Sequence, residues 1–151
     1  VSSYRAAFNR NLLAGILGAE PQRNPRLTAQ ELMRAPMVVL AHDHRPLDQD
    51  EGPRLIYTNQ AGLNLWRHRW DTMVGMPSKL TAEPGQRASR QAALAAAQQQ
   101  TAIRDYAGIR VDSQGRRFAI EGARIWTLVD AQGQACGQAA AFSRWWRLSQ
   151  A

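Results

Sequence analysis

"IYTNQAGLNLW", residues 56–66, joins two elements without a linker. Ile56, Tyr57 and Thr58 have the β-branched and aromatic character of a strand end. Asn59 then stands where a helix N-cap belongs, and residues 60–66 read as a short helix that ends on two bulky apolar side chains, Leu65 and Trp66. Such a joint asks for a sheet on one side of it and a helical layer on the other, so the neighbouring sequence is read for both.

Upstream, "MVVLAHD" (37–43) is a β-rich apolar run, and "RLIYT" (54–58) is a second strand after the polar turn "HRPLDQDEGP". The two can pair as a hairpin with a longish loop. Before them, residues 3–17 carry a helical stripe of Tyr4, Phe8, Leu12 and Ile16, widened by Leu13 and Leu17. "GAEPQRNPR" breaks that helix. A shorter helix follows, with Thr28 as cap and Glu31 completing a capping box; it ends near Ala35 because Pro36 disfavours continuation. Downstream, "RWDTMVG" reads as a short helix closed by Gly75, and "MPSKLTAEP" as extended or irregular. Residues 85–100, rich in Ala and Gln, are strongly helical by propensity.

From Thr101 the pattern changes to three strands joined by two tight turns. Ser113-Gln114-Gly115 and Ala131-Gln132-Gly133 place Gly where a hairpin wants positive φ, each behind an Asp (Asp112, Asp130) that can bond the turn backbone. Two early strands and three late ones predict a single five-stranded antiparallel sheet in an α+β fold, with helices on one face and an extra N-terminal helix. The expected organisation is an N-terminal helix and linker over 1–26 and a domain over 27–148.

Composition narrows the function classes. At 151 residues the chain suits one domain able to bury roughly two-thirds of its unfolded surface. No apolar run reaches the roughly 18 residues a membrane span needs, and residues 11–18 are short for a secretion signal. The single cysteine, Cys136, excludes an internal disulfide or a Cys-rich metal site and suits the cytoplasm. The net charge of +7 is nearly all Arg, scattered from Arg5 to Arg147 rather than blocked, so nucleic acid is not an expected partner.

The element order resembles the PAS fold. "IYTNQAGLNLW" is similar to its strand-to-helix joint, with Asn59 as cap and Ala61 against the sheet; "MVGMPS" is similar to the Gly-bearing stretch that follows. More narrowly, "MVVLAHD", "YTNQAGLNLW", "MPSKLTAEP" and "SQGRRFAIEGARIWTLVDAQGQACGQAAAFSRW" together resemble the MEKHLA domain, a PAS-related module, over residues 28–146. The resemblance implies a sheet with a helical flank, a pocket between them, no known reaction, and action through a small molecule, a homodimer or a partner.

Candidate pocket residues are Tyr57, Trp66, Tyr106, Arg110, Trp126 and Gln138. Gln138 sits among apolar neighbours and needs a partner if buried, whether a backbone group or a ligand. Trp66 and Trp126 line a cavity or fill the core. Arg110 and Arg124 either fork an acidic ligand or pair with Glu121 or Asp105. Strict alternation puts Phe118, Ile120, Gly122, Arg124, Trp126 and Leu128 on one face of their strand. On the last strand the small face Gly137, Ala139, Ala141 favours a packed helix over a ligand. His42 and His44 have the spacing of metal ligands in a strand, but lack a third ligand nearby. The cofactor stays unknown: residues 76–84 lack the cysteine of flavin photoreceptors, and His68 is the only helical histidine for a haem. No catalytic constellation is evident, and Glu121 reads as an ion-pair member. The N-terminal stripe covers either its own sheet or a second copy, and Trp145 or Trp146 must lie near a surface or interface.

Overall fold

The computed structural model describes residues 1–8, 12 and 24–149. Helix α1 is Ser2–Phe8 and helix α2 is Pro25–Arg34. Strands β1 (Val38–Asp43) and β2 (Leu55–Thr58) precede helices α3 (Gln60–Trp66) and α4 (Trp70–Met73). Two 3₁₀ turns, Ser78–Thr81 and Pro84–Gln86, lead into the long helix α5, Arg87–Gln100. Strands β3 (Ala102–Val111), β4 (Arg117–Val129), β5 (Ala135–Phe142) and β6 (Arg144–Arg147) complete the chain.

All strands lie in one antiparallel sheet of order β2-β1-β5-β4-β3. The early pair and the late meander meet at β1 and β5, from Val38↔Phe142 to Asp43↔Gly137. Strand β6, absent from the sequence expectation, carries on along β4 where β5 leaves off, in unchanged register. Both meander turns close as their residues dictate. Asp112 Oδ1 accepts from the amides of Gln114 and Arg116, at 2.9 Å each, and Gly115 has φ +78°. Asp130 repeats the device on Gln132 and Gln134, with Gly133 at φ +76°.

The inner face of the sheet carries α3, α4 and α5. Asn59 caps α3 by accepting from the Gly62 amide at 3.2 Å. A Cβ on Gly62 would stand 2.2 Å from Thr58 Oγ1, so a glycine lets α3 lie this close to the sheet. The helix ends at Arg67 in the left-handed region, and its last residues, Leu65 and Trp66, are buried in the main core with Phe118, Ile120 and Phe142. The two bulky residues at the helix end are therefore core, and Trp66 meets Phe118 edge-on at 5.1 Å between ring centroids.

The outer face is covered by α1. Tyr4, Phe8 and Leu12 pack with Val39, Ala41, Trp126, Ala139 and Ala141. Tyr4, Phe8 and Leu12 of the N-terminal stripe thus cover their own sheet, and the small face of β5 receives a helix. Apart from Leu12, the expected helix beyond Phe8 falls on residues outside those described, as do residues 18–23 of the expected break over 18–26. Helix α2 begins earlier than expected: Asn24, not Thr28, is the cap, accepting from the Arg26 amide at 2.9 Å, because Pro25 sets the first helical φ.

Alternation along β4 fails at one point. Between Tyr106↔Ala123 and Gly108↔Ile120, two residues of β4, Glu121 and Gly122, oppose one of β3. Gly122 takes φ +66° and forms a bulge that shifts the parity. Phe118 and Ile120 face the inner core, whereas Trp126 faces outward beneath Tyr4, at 4.8 Å between centroids.

Candidate ligand cavity between the sheet and the long helix

Strand β1 brings His42 to the inner face, β5 brings Gln138 opposite it, and β3 brings Tyr106 and Arg110. Helix α5 contributes Arg90 and Leu94, one turn apart on its buried side, and the first 3₁₀ turn contributes Ser78. Together with Trp66, Leu55, Ile125 and Phe142 they line a cavity of about 60 Å³. Trp66, Tyr106, Arg110 and Gln138 lie in its wall. Tyr57 and Trp126 do not: both belong to the outer-face cluster, Tyr57 against Trp70 at 5.9 Å and Trp126 there through the Gly122 bulge. The expectation that those two line the pocket is corrected accordingly.

The polar groups form one directional chain. Gln138 Nε2 donates to the Leu94 carbonyl at 2.9 Å, which leaves its Oε1 to accept from His42 Nε2 at 3.3 Å. His42 Nδ1 is then the acceptor for Ser78 Oγ at 3.0 Å, and Ser78 accepts in turn from Arg90 Nη2 at 2.7 Å. This pattern requires a neutral imidazole. Burial first, and the Arg90 charge second, hold His42 down at about 4. Burial also lowers Arg90, with Arg110 the next contributor, to about 9, so it remains a cation at neutral pH.

Arg110 folds back along β3. Its Nη2 donates to Tyr106 Oη at 3.1 Å and its Nη1 to the Ile109 carbonyl at 3.0 Å. Gly108, between them on the same face, leaves the room: a Cβ there would lie 2.7 Å from the Tyr106 hydroxyl and 3.0 Å from Arg110 Nη1. Arg110 pairs with neither Glu121 nor Asp105. Glu121 bonds Arg144 at 3.3 Å, and Arg124 donates to Tyr4 Oη at 2.6 Å. His44 is exposed and does not join His42, so His42, His44 and Glu121 do not converge. Among the described residues no three His, Cys, Asp or Glu side chains gather as metal ligands.

Sequence reasoning missed Arg90, Ser78 and the inward aim of His42. The signal for Arg90 was its spacing from Leu94 and Ala97, which are the other buried residues of α5. For His42 it was the alternation Val38, Leu40, His42 along β1.

A sheet flanked on its inner face by short helices and one long helix, enclosing a polar-centred cavity, is the architecture of PAS domains, and solved structures bear this out. The PAS domain of a Colwellia psychrerythraea protein aligns with a TM-score of 0.66 at 14% identity, covering 77% of this chain and 92% of that one. A light-oxygen-voltage domain studied with a flavin analogue aligns with a TM-score of 0.60 at 14% identity, covering 82% and 86%. An RNA-binding light-oxygen-voltage receptor aligns at 0.61 and 13%, covering 83% of this chain and 35% of that one. At these identities the likeness is one of fold. Within that superfamily the chain belongs to the MEKHLA domain family, whose model matches residues 1–147. No curated protein matches it.

Proposed function

We propose that this PAS-like sensory module binds a small molecule in the cavity between sheet and α5, and acts in the cytoplasm through a second copy or a partner protein. One observation carries the reading: Arg90, Arg110, His42 and Gln138 are buried around a cavity that a purely structural core would fill with apolar atoms. Native mass spectrometry of the protein recovered from its own host tests it. Added mass above the chain, lost on denaturation, is the expected result; a chain free of any bound mass across preparations would sink it.

A second reading is an interaction module that takes no ligand. It is favoured by Trp145 and Trp146 on β6, exposed at 41% and 48%. A homodimer through that strand, unaffected by any small molecule, is its signature. With α1 buried against its own sheet, β6 rather than the first helix is the surface for such contact. We propose no enzymatic reaction, because His42, His44 and Glu121, the side chains the sequence offered for one, do not converge. Nor do we propose a membrane role; no helix among the described residues is long and apolar enough to cross one.

A further inference from the structure

Arg90 and Arg110 are 9% and 7% exposed, and both guanidinium groups belong to the same cavity. Neither has a carboxylate within ion-pair distance among the described residues. Their hydrogen bonds go to neutral groups only: Ser78, Tyr106 and a backbone carbonyl. A buried cation without an anion is costly, and two that repel one another cost more. The other cavity donors and acceptors do not relieve it. His42 is neutral, and Gln138 already spends its amide on Leu94 and His42. What the site lacks is negative charge.

We propose that the cavity takes a short-chain carboxylate of about three or four heavy atoms, its carboxylate held between Arg90 and Arg110 and its chain against the apolar wall. This rests on the small-molecule reading above. The size follows from the volume, since at a water's share of about 30 Å³ the 60 Å³ corresponds to about two waters, which admits only the smallest carboxylates. The organic class follows from the apolar part of the lining, Leu55, Leu94, Ile120, Ile125 and Phe142, which suits a hydrocarbon chain better than an inorganic oxyanion's remaining oxygens. Gly108 is the positioning residue: without its side chain's absence Arg110 could not fold onto Tyr106.

The test is a matched titration of the dialysed full chain at constant ionic strength, followed by calorimetry and by thermal shift. The probes are acetate, propionate, lactate and pyruvate, the primary amides of the same acids, and nitrate and phosphate. The expected result is saturable binding of at least one carboxylate at about 1 mM or tighter, with its amide at least about tenfold weaker. Arg90→Gln and Arg110→Gln each weaken that carboxylate by at least about tenfold. Each also raises the melting temperature of the ligand-free chain, because an unpaired buried charge is gone. Equal binding of acid and amide overturns the carboxylate assignment and leaves the cavity reading standing. Binding of nitrate or phosphate in preference to every carboxylate overturns the organic class. Binding of none of the probes overturns the proposal outright, while the native mass measurement decides the cavity reading separately. Should the Gln variants not fold, the acid–amide comparison on the unaltered chain remains decisive.

Discussion

His42 makes the inner face sensitive to pH. In the folded chain it stays neutral down to about 4, against 6.5 for the ordinary side chain. Burial and Arg90 push it down, as does His44 to a lesser degree; Gln138 and Asp43 push the other way. Between those two values the unfolded chain takes up a proton that the folded chain refuses. Its contribution to stability is therefore complete above pH 6.5 and is lost as pH falls towards 4, by up to about 3 kcal/mol. Urea unfolding at about pH 7 and about pH 4.5 should show this slope, and His42→Gln should flatten it; an unchanged slope in the variant would count against a neutral His42. Asn59 is a second residue whose role exceeds a cap. Its Oδ1 accepts from Val39 N at 3.0 Å as well as from Gly62, and its Nδ2 donates to the carbonyls of Leu32 and Met37 at 3.1 and 2.7 Å. One amide thus ties α2, β1 and α3 together. Asn59→Ala leaves those buried backbone groups unpaired and should cost about 2–4 kcal/mol in equilibrium unfolding, well beyond the about 1 kcal/mol of an ordinary cap. The cap was legible because capping is local chemistry. Its three other bonds were not, since they need the tertiary placement of residues 20 to 27 positions away.

At the scale of elements, the two meander turns and the strand-to-helix joint could be read from the sequence because each is settled within about five residues. The faces of β4 could not. Alternation assumes one residue against one residue, and the Gly122 bulge inserts an extra one in midstrand. That single insertion sends Trp126 to α1 instead of the cavity and sets Phe118 and Ile120 under Trp66. Gly122→Val tests how firmly the bulge is held. At φ +66° a β-branched residue is strained, and a Cβ there would lie 2.9 Å from Arg144 Nη2. The expected loss is about 1–3 kcal/mol. The Trp145–Trp146 strand should loosen with it, because Arg144 and Glu121 flank the bulge. Hydrogen exchange of the β6 amides reads the second effect; slow, unaltered exchange in a folded Gly122→Val variant would show that β6 does not depend on the bulge. Helix α5 gives the opposite lesson. Its composition announces a helix, yet the Ala and Gln residues that do so say nothing about Arg90, whose importance comes from which side of the helix the sheet covers.

The whole molecule is a sheet between two unlike layers. The inner layer, α3 to α5, encloses polar side chains and a cavity, whereas the outer layer is α1 against an apolar surface. The outer layer is held at few points. Tyr4 and Phe8 cover Trp126, Tyr4 Oη accepts from Arg124, and Ser3 Oγ accepts from the Val129 amide at 3.0 Å. Strand β5 serves both layers on alternate residues, Gln138 and Ala140 inward and Ala139 and Ala141 outward. Removing residues 1–8 should thus strip one layer and spare the other. Uncovering Trp126, Val39 and the small face of β5 costs at least about 3–5 kcal/mol, the loss for a single large aromatic taken from a core, since both Tyr4 and Phe8 are buried there. The truncated chain should retain the Arg90–Ser78–His42–Gln138 chain and any ligand it binds, yet expose an apolar sheet face. Two readouts separate these consequences: a red-shifted tryptophan emission with concentration-dependent association in sedimentation, and ligand titration on whatever fraction stays folded. Truncated protein that is monomeric, with unshifted emission and unchanged melting, would mean that α1 is not the cover of this sheet.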